Sequence, residues 1–388
     1  MILRTTGALP TPLATKPRRP LDGEDRQGVY VFNTACLAWV DPESFDVQMT
    51  QQPKTRAMEA SVAKLVDVAL DRTIAPGYGN LGVVVRRRLP TWPPDPPRME
   101  GRVVLVTGAA SGLGLATCRG FAALGASVRA LARSQRRADE AVAQVSETVP
   151  GADITAVACD LSSLAQVREL TERIGRDEPR LDVLVNNAGV MPDERERSED
   201  GHELMFATHV LAPFALIAWL RPLLERSAPA RVINVGSGGL YSQAIPAGDL
   251  ESDQTTYSPK KLYARSKREQ LVITEQWAQR LDGSGIVVHA MHPGWVDTPG
   301  VSRWMPVFRA VTRPIIRSED QGADTIVWLG ASPEALRSTG GFWHDRRLRP
   351  THYRLGASDD APQTREALWD YCCAQIERPA PAATQSPG

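Results

Sequence analysis

Tyr263 and Lys267 stand four residues apart in the string Tyr263-Ala264-Arg265-Ser266-Lys267. Residues at that spacing share one face of a helix, about 6 Å apart along its axis, so a phenol and an ammonium face the same space. The ammonium favours the phenolate and lowers a pKa that is about 10 in isolation. Such a phenol donates a proton to a developing alkoxide in carbonyl reduction and acts as the base in the reverse oxidation. The spacing alone is common, and most copies are solvated helix pairs. Its company gives it weight: Asn186-Asn187-Ala188-Gly189 and Gly236-Ser237 each close a short apolar run.

A second chemical signal is Thr107-Gly108-Ala109-Ala110-Ser111-Gly112-Leu113-Gly114, set between the apolar run Val103 to Val106 and the helically spaced Leu115 to Leu124. A turn without side chains lets the backbone approach a pyrophosphate, and the free N–H groups at the positive end of a helix stabilise its charge. Position between strand and helix makes this a dinucleotide site rather than an ordinary tight turn. The next apolar run ends at Ala132 and is followed by Arg133-Ser134-Gln135, with no acidic residue. A carboxylate there would hold a free 2′-hydroxyl, whereas a guanidinium pairs with a 2′-phosphate. NADP(H) is therefore the expected cofactor, and NAD(H) the alternative if Arg133 is only a surface arginine. In Cys159-Asp160-Leu161-Ser162, Asp160 ends the third run, placed to reach the adenine amino group, to cap the following helix, or both.

These residues need a scaffold that brings strand ends together. Short apolar runs, Val103 to Val106, Ser127 to Ala132, Ile154 to Cys159, Val183 to Val185, Val232 to Val235 and Ile286 to Met291, alternate with longer amphipathic segments. Alternation of this kind implies an α/β fold, a single Rossmann-type doubly wound parallel sheet with helices on both faces, spanning residues 101–378. An N-terminal extension precedes it. Residues 1–57 show neither helical nor strand period, contain Pro10, Pro12, Pro17, Pro20, Pro42 and Pro53, and read as disordered or loosely attached. Met58, where a helical pattern starts, is an expected alternative start of the chain. Residues 58–100 read as an amphipathic helix, from Val62, Leu65, Val66, Val68 and Leu70, then a turn at Pro76 and Gly77 and a proline-rich arm ending at Pro97. The tail after Arg378 is expected to be disordered.

On these motifs the chain resembles the classical short-chain dehydrogenase/reductase family over roughly Gly101 to Arg349. The resemblance implies that Ser237 hydrogen-bonds the substrate oxygen, Tyr263 transfers the proton, and Lys267 tunes Tyr263 and holds the ribose hydroxyls. It implies that Asn187, Ala188 and Gly189 line the cofactor site. His292-Pro293-Gly294-Trp295-Val296-Asp297-Thr298 is similar to the segment in which backbone near Val296 and the Thr298 hydroxyl hold the carboxamide. The longer string through Val301, with Ser318 to Asp324, is similar to the subgroup of dehydrogenase/reductase member twelve. One departure stands out: Phe206-Ala207-Thr208-His209 has histidine where the family has a catalytic asparagine that supports a water-linked proton relay. An imidazole can itself exchange protons near neutral pH, so His209 joins the candidate catalytic residues, against a structural role for a lone helical histidine.

The implied reaction exchanges hydride between a nicotinamide and a carbonyl or alcohol. Val301, Trp304, Met305, Val307, Phe308 and Ile315 lie in the segment 298–317 that covers the substrate in the family, which favours a lipophilic substrate; ordinary core packing is the competing reading. A cofactor-binding scaffold or sensor with little turnover is the rival function, kept open by His209. With 45 basic and 45 acidic residues the formal net charge is zero, which gives no bulk attraction to nucleic acid. The five cysteines form no C-x-x-C pair, and the histidines have no metal-ligand spacing, so neither a disulfide framework nor a metal is expected. No signal-peptide pattern opens the chain, and the expected location is cytoplasmic, with membrane contact through residues 58–97 as the sharper reading of Arg86 to Arg88 and Trp92. A homo-oligomer is usual in the family.

Overall fold

The computed structural model describes residues 29–33, 36–40, 58–353 and 360–378. Its centre is an eight-stranded sheet built from β3 (Val103–Thr107), β4 (Ser127–Ala132), β5 (Ile154–Ala158), β6 (Val183–Asn186), β7 (Ala230–Val235), β8 (Ile286–Met291), β9 (Phe342–His344) and β10 (Arg347–Arg349). The strand order is β10-β9-β8-β7-β6-β3-β4-β5, parallel throughout except for β10. From β3 the chain steps outward to β4 and β5, then returns to β6 on the other side. The crevice at the C-terminal ends of β3 and β6 is thus the switch point at which open α/β sheets bind ligands.

Every residue of β3 and of β6 is buried, as parallel strands covered on both faces must be. Alternation sorts their side chains between two cores. Val104 and Val106 pack with Phe121, Trp328 and Leu329, while Val103 and Leu105 pack with Phe214, Trp277 and Leu368. The first core lies under helices α4 (Gly112–Ala123), α5 (Gln135–Thr148) and α12 (Glu319–Ala331), and the second under α6 (Leu164–Asp177), α8 (Ala212–Arg226), α9 (Pro259–Arg280) and α13 (Pro362–Glu377). The continuous helical stretch Leu204–Arg226 is long and apolar enough by composition to cross a membrane, yet 78% of its apolar window is buried in the protein. Its apolarity serves the core.

Three local expectations change. The edge pair β9–β10 was not legible, because its turn places Asp345 and Arg346 at φ 51° and 56°, where a sequence signal would be Asn-Gly or Asp-Gly. Within residues 1–57, β1 (Val29–Asn33) and β2 (Cys36–Val40) pair antiparallel with Tyr30 opposite Trp39, as their β-branched and aromatic content favours. The remaining expectations of disorder, for the rest of 1–57 and for 379–388, lie outside the described residues.

The third change concerns the arm. Helix α1 covers residues 58–72, and instead of a turn at Pro76 and Gly77 the chain forms α2 (Ile74–Tyr78) and α3 (Asn80–Arg87). The inward face of α1 is Ala63, Asp67 and Asp71, whereas Leu65 and Val68 are exposed. This inverts the apolar-face reading. Arg86, one of the basic run Arg86 to Arg88 read as a membrane-contact candidate, is fully buried: it donates to Asp67 Oδ1 (2.8 Å), Asp345 Oδ2 (2.6 Å) and the Gly77 carbonyl (2.8 Å). Charge pairing, not apolar burial, sets which face of the arm meets the domain.

Candidate active site

The glycine turn closes β3 and opens α4. Gly108 has φ +67°, and a Cβ there would lie 2.8 Å from the Ala188 Cα; one at Gly114 would lie 2.1 Å from the Gly108 carbonyl. No larger residue fits this cradle. Thr107 locks it to the end of β6, because its hydroxyl accepts from the backbone N–H of Asn187 (2.9 Å) and of Ala188 (3.0 Å). In return the Asn187 amide donates to the Thr107 carbonyl (2.9 Å). Thr107 and Asn187 are thus committed first to shaping the loop. Ser111 is the N-cap of α4 without a side-chain cap bond, and Gly112 faces Thr298, whose Cβ would lie 3.4 Å from an added Cβ.

At the end of β4, Arg133 is exposed and makes no hydrogen bond among the described residues. Asp160 Oδ1 accepts from the N–H (3.0 Å) and hydroxyl (2.7 Å) of Ser162. The cap of α6 is Ser163, which accepts from the Gln166 N–H, so the capping alternative for Asp160 does not hold. Leu161 has its side chain in the core and offers the site only backbone.

One cavity of about 1680 Å³ gathers most of the remaining candidates: Leu113, Asn187, Gly189, Ser237, Tyr263, Lys267, Pro293, Gly294, Val296 and Thr298 all line it. Tyr263 sits half-buried on α9, its phenol pushed above the ordinary value by burial and pulled partly back by the Ser237 hydroxyl. Lys267 is buried, and loss of water alone lowers its ammonium to about 7. Its Nζ donates to the Val235 carbonyl (2.9 Å) and to Gln270 Oε1 (3.0 Å), and lies 5.9 Å from the centroid of the Tyr263 ring. Tyr263 and Lys267 share one helix face as their spacing requires, but burial of the phenol raises it rather than lowering it.

His209 does not line the cavity. It is fully buried within a π-helical turn, Ala207–Leu211, of the kind that often marks functional sites. The Val190 N–H donates to Nε2 (2.9 Å), which leaves the proton on Nδ1, facing the Ser266 hydroxyl at 2.8 Å; that hydroxyl donates to the Tyr263 carbonyl (2.9 Å). Protonation would turn Nε2 against an N–H, and burial with the nearby Lys267 charge holds the imidazole well below its usual pKa. The ring therefore clamps the loop after β6 to the catalytic helix, and both of its nitrogens are occupied. As a proton exchanger near neutral pH it does not fit.

His292 supports the Pro293-Gly294 corner, accepting from the Gly294 N–H (3.3 Å) and stacking on His344 at 3.9 Å. Against it lies a residue that sequence reasoning missed. The Tyr78 ring packs 4.6 Å from His292, its edge would meet a Cβ on Gly238 at 2.8 Å, and its carbonyl accepts from the Trp295 N–H (2.9 Å). Asp71, Arg72, Ile74 and Tyr78 of the arm line the cavity, as do Tyr241, His352 and Tyr353. No local motif marks them; only the arm's buried arginine would have hinted at an inward face. Trp304, Met305 and Phe308, on α10 (Pro299–Trp304), the linking residue and α11 (Pro306–Thr312), also line it, while Val307 points to solvent at 76% exposure. The covering segment thus divides between cavity and surface.

Residues 102–306 match the family model described as short chain dehydrogenase. Dehydrogenase/reductase SDR family member 12 of Homo sapiens is 40% identical over 272 residues, 70% of this chain and 85% of that protein. Retinol dehydrogenase 14 of Mus musculus is 36% identical over 269 residues, 65% of this chain and 80% of the relative. Among solved structures, RhlG of Pseudomonas aeruginosa in its NADP active-site complex superposes with a TM-score of 0.52 at 28% identity, over 63% of this chain and 94% of that one.

Proposed function

The chain belongs to the short-chain dehydrogenase/reductase family, and we propose that it is an NADP(H)-dependent oxidoreductase acting on a lipophilic carbonyl or alcohol through Ser237, Tyr263 and Lys267. The observation that carries the reading is the single cavity lined at once by these three residues and by Leu113, Asn187 and Thr298 beside the glycine cradle. The turn suits a dinucleotide because a Cβ at Gly108 or Gly114 would strike the protein's own backbone, so only glycine allows the tight bend that opens α4 with its N–H groups free. Its backbone and the N-terminus of α4 would hold the pyrophosphate, Arg133 a 2′-phosphate, Asp160 the adenine, Lys267 the ribose hydroxyls, and Val296 with Thr298 the carboxamide.

The bound nicotinamide supplies or accepts the hydride. The protein does the rest. Ser237 donates a hydrogen bond to the substrate oxygen, and Tyr263, reaching the same oxygen, transfers its proton as negative charge develops there. A phenol raised by burial is protonated at neutral pH and so is ready as an acid. Lys267 in its charged form favours the phenolate left behind. Met191, Trp304, Met305 and Phe308 exclude water and favour an apolar substrate body. His209 is a positioning residue that holds the Val190 backbone and α9 in register.

An NADPH-oxidation screen over aliphatic, aromatic and polycyclic aldehydes and ketones, run with NADH in parallel, tests the reading. The Tyr263→Phe variant is expected to lose about a thousandfold in kcat/KM, within the range typical of a missing general acid, while its NADPH affinity stays nearly unchanged. Retained turnover in that variant rejects the assignment. NADPH binding without oxidation across the whole panel favours the scaffold reading instead.

A further inference from the structure

Burial leaves the apolar residues of this chain unevenly spread over its surface. From Ala63 onward, the large apolar side chains exposed among the described residues are Leu65, Val68, Ile74 and Leu81 of the arm, Val307 and Val311 of α11, and Leu348. Scattered exposed apolar residues are ordinary, but a set confined almost wholly to two adjoining segments marks a contact surface. The segments do adjoin: the Asn80 N–H, at the start of α3, donates to the Ile315 carbonyl shortly after α11 (2.7 Å). Both border the cavity, which Arg72 and Ile74 line from the arm and Trp304, Met305 and Phe308 from the covering segment. Because Arg72 and Ile74 are themselves exposed, the apolar face runs out from the cavity's opening.

The exposed charges on the same two segments are of one sign. Between residues 63 and 94 the only carboxylates are Asp67 and Asp71, both buried, whereas Lys64, Arg72, Arg87 and Arg88 are exposed. Residues 299–317 contain no carboxylate and add the exposed Arg303 and Arg313. Arg87 is held by Asp324, but the others extend a basic rim around the apolar side chains. A chain of zero formal net charge thus gathers cations beside its exposed apolar residues. On α1, Leu65, Val68 and Arg72 stand three and four positions apart and share the face turned away from Asp67 and Asp71. On α11, Val307 and Val311 are likewise four apart.

We propose that the outward faces of α1 and α11 dock on an anionic lipid bilayer, with the cavity opening turned towards the lipid. The apolar side chains enter the headgroup boundary while the neighbouring cations meet lipid phosphates, the combination that holds peripheral helices on membranes. A second copy of this chain fits less well, because in a two-fold contact the patch meets itself and brings its cations together. The surface also differs from the one expected from Arg86 to Arg88 and Trp92, since Arg86 is buried and Arg346 stacks over the Trp92 ring at 4.9 Å. Docking stands apart from the reaction; passage of a lipophilic carbonyl from bilayer to Tyr263 rests on the oxidoreductase reading.

The test is co-sedimentation of the full chain with vesicles of phosphatidylcholine alone and of equal parts phosphatidylcholine and phosphatidylglycerol. Binding is expected on the mixed vesicles, weaker on the neutral ones, and falling as salt is added. Leu65→Ser with Val68→Ser, and separately Val307→Ser with Val311→Ser, should each weaken partitioning about tenfold or more. Lys64→Gln and Arg313→Gln should each weaken it about fivefold, the equivalent of one charge at the membrane surface. All six side chains are exposed, so thermal unfolding should stay close to that of the wild type and show that the variants are folded. No binding to the mixed vesicles overturns the proposal, as does binding that survives both apolar pairs, which would place the contact elsewhere in the chain. A dimer that dissolves in these variants, with no vesicle binding, would assign the face to a second copy instead. Vesicle binding needs no turnover. A chain that docks yet oxidises NADPH with no carbonyl compound would lose the oxidoreductase reading and keep the surface.

Discussion

The glycine cradle, through Leu113, and the arm, through Asp71 and Tyr78, border the same cavity and are held by different physics. The cradle is local and made of backbone: Gly108 at φ +67°, Gly114 against the Gly108 carbonyl, and Thr107 bonded to two N–H groups of the next loop. The arm is held by buried charges drawn from far along the chain. Arg86 reaches Asp345 across 259 positions, Arg317 pairs with that same carboxylate at 2.5 Å, and Arg349 closes on Asp67 at 2.8 Å. Burial would raise the Asp345 carboxyl, but His344, Arg317 and Arg86 overcome it and hold it far below the usual carboxylate range. The cradle's backbone packs so closely on itself and on Ala188 that Gly108 and Gly114 tolerate no side chain. The substrate end is built by a network that another chain could replace without touching the cradle.

Breaking that network should have the largest effect on the comparison. Arg86→Ala leaves Asp67 and Asp345 buried with less compensation, and the expected loss is about 3–5 kcal/mol in denaturant unfolding. Arg136→Ala, which breaks an exposed pair with Glu140, should cost less than about 1 kcal/mol. Equal losses in the two variants would dissolve the distinction between buried and surface charge on which the arm's placement rests.

The catalytic helix between the two regions offers a pH test. Lys267 is lowered in the folded chain to about 7 from an ordinary 10.5, so between these values the unfolded chain binds more protons. Folding stability therefore gains from this group as pH rises through that window, and the whole penalty is present below about 7. The stability of wild type relative to Lys267→Met, measured from pH 6 to 10, is expected to increase. A flat difference would mean that water reaches the ammonium.

A further, local effect falls on the cradle side. Arg133 is exposed, so its pairing with a 2′-phosphate is partly screened, and Arg133→Ala should weaken NADPH about tenfold with little change for NADH. Equal losses for both cofactors in binding titrations would remove the basis for preferring NADP(H).

The cradle side was legible from the chain because its signals are contiguous. A buried strand, a turn that excludes Cβ atoms and an amphipathic helix follow one another within about two dozen residues, and each reports on its own backbone. The six runs from Val103 to Met291 became strands for the same reason. The arm was misread because periodicity assumes that apolar residues face inward. In α1 the buried positions are Ala63, Asp67 and Asp71, and nothing near them in sequence discloses partners at Arg86 and Arg349. The β9–β10 turn escaped notice because Asp345 and Arg346 occupy a backbone region usually marked by glycine or asparagine, held there by Arg317 and Asp324.

His209 marks the boundary between the two kinds of knowledge. From sequence it was a titratable group at the place of an expected asparagine; in the fold its two nitrogens are taken up by Val190 and Ser266, and burial keeps it neutral. The sequence by itself determined the six strands β3 to β8, the glycine turn and the shared helix face of Tyr263 and Lys267, because these follow from short-range sterics and helix geometry. Only the tertiary structure decided how protons are held on Tyr263, Lys267 and His209, and that an arm begun some forty residues before the first parallel strand reaches the substrate cavity. Proton affinities depend on water excluded by distant segments, and a charge finds its partner through space rather than along the chain.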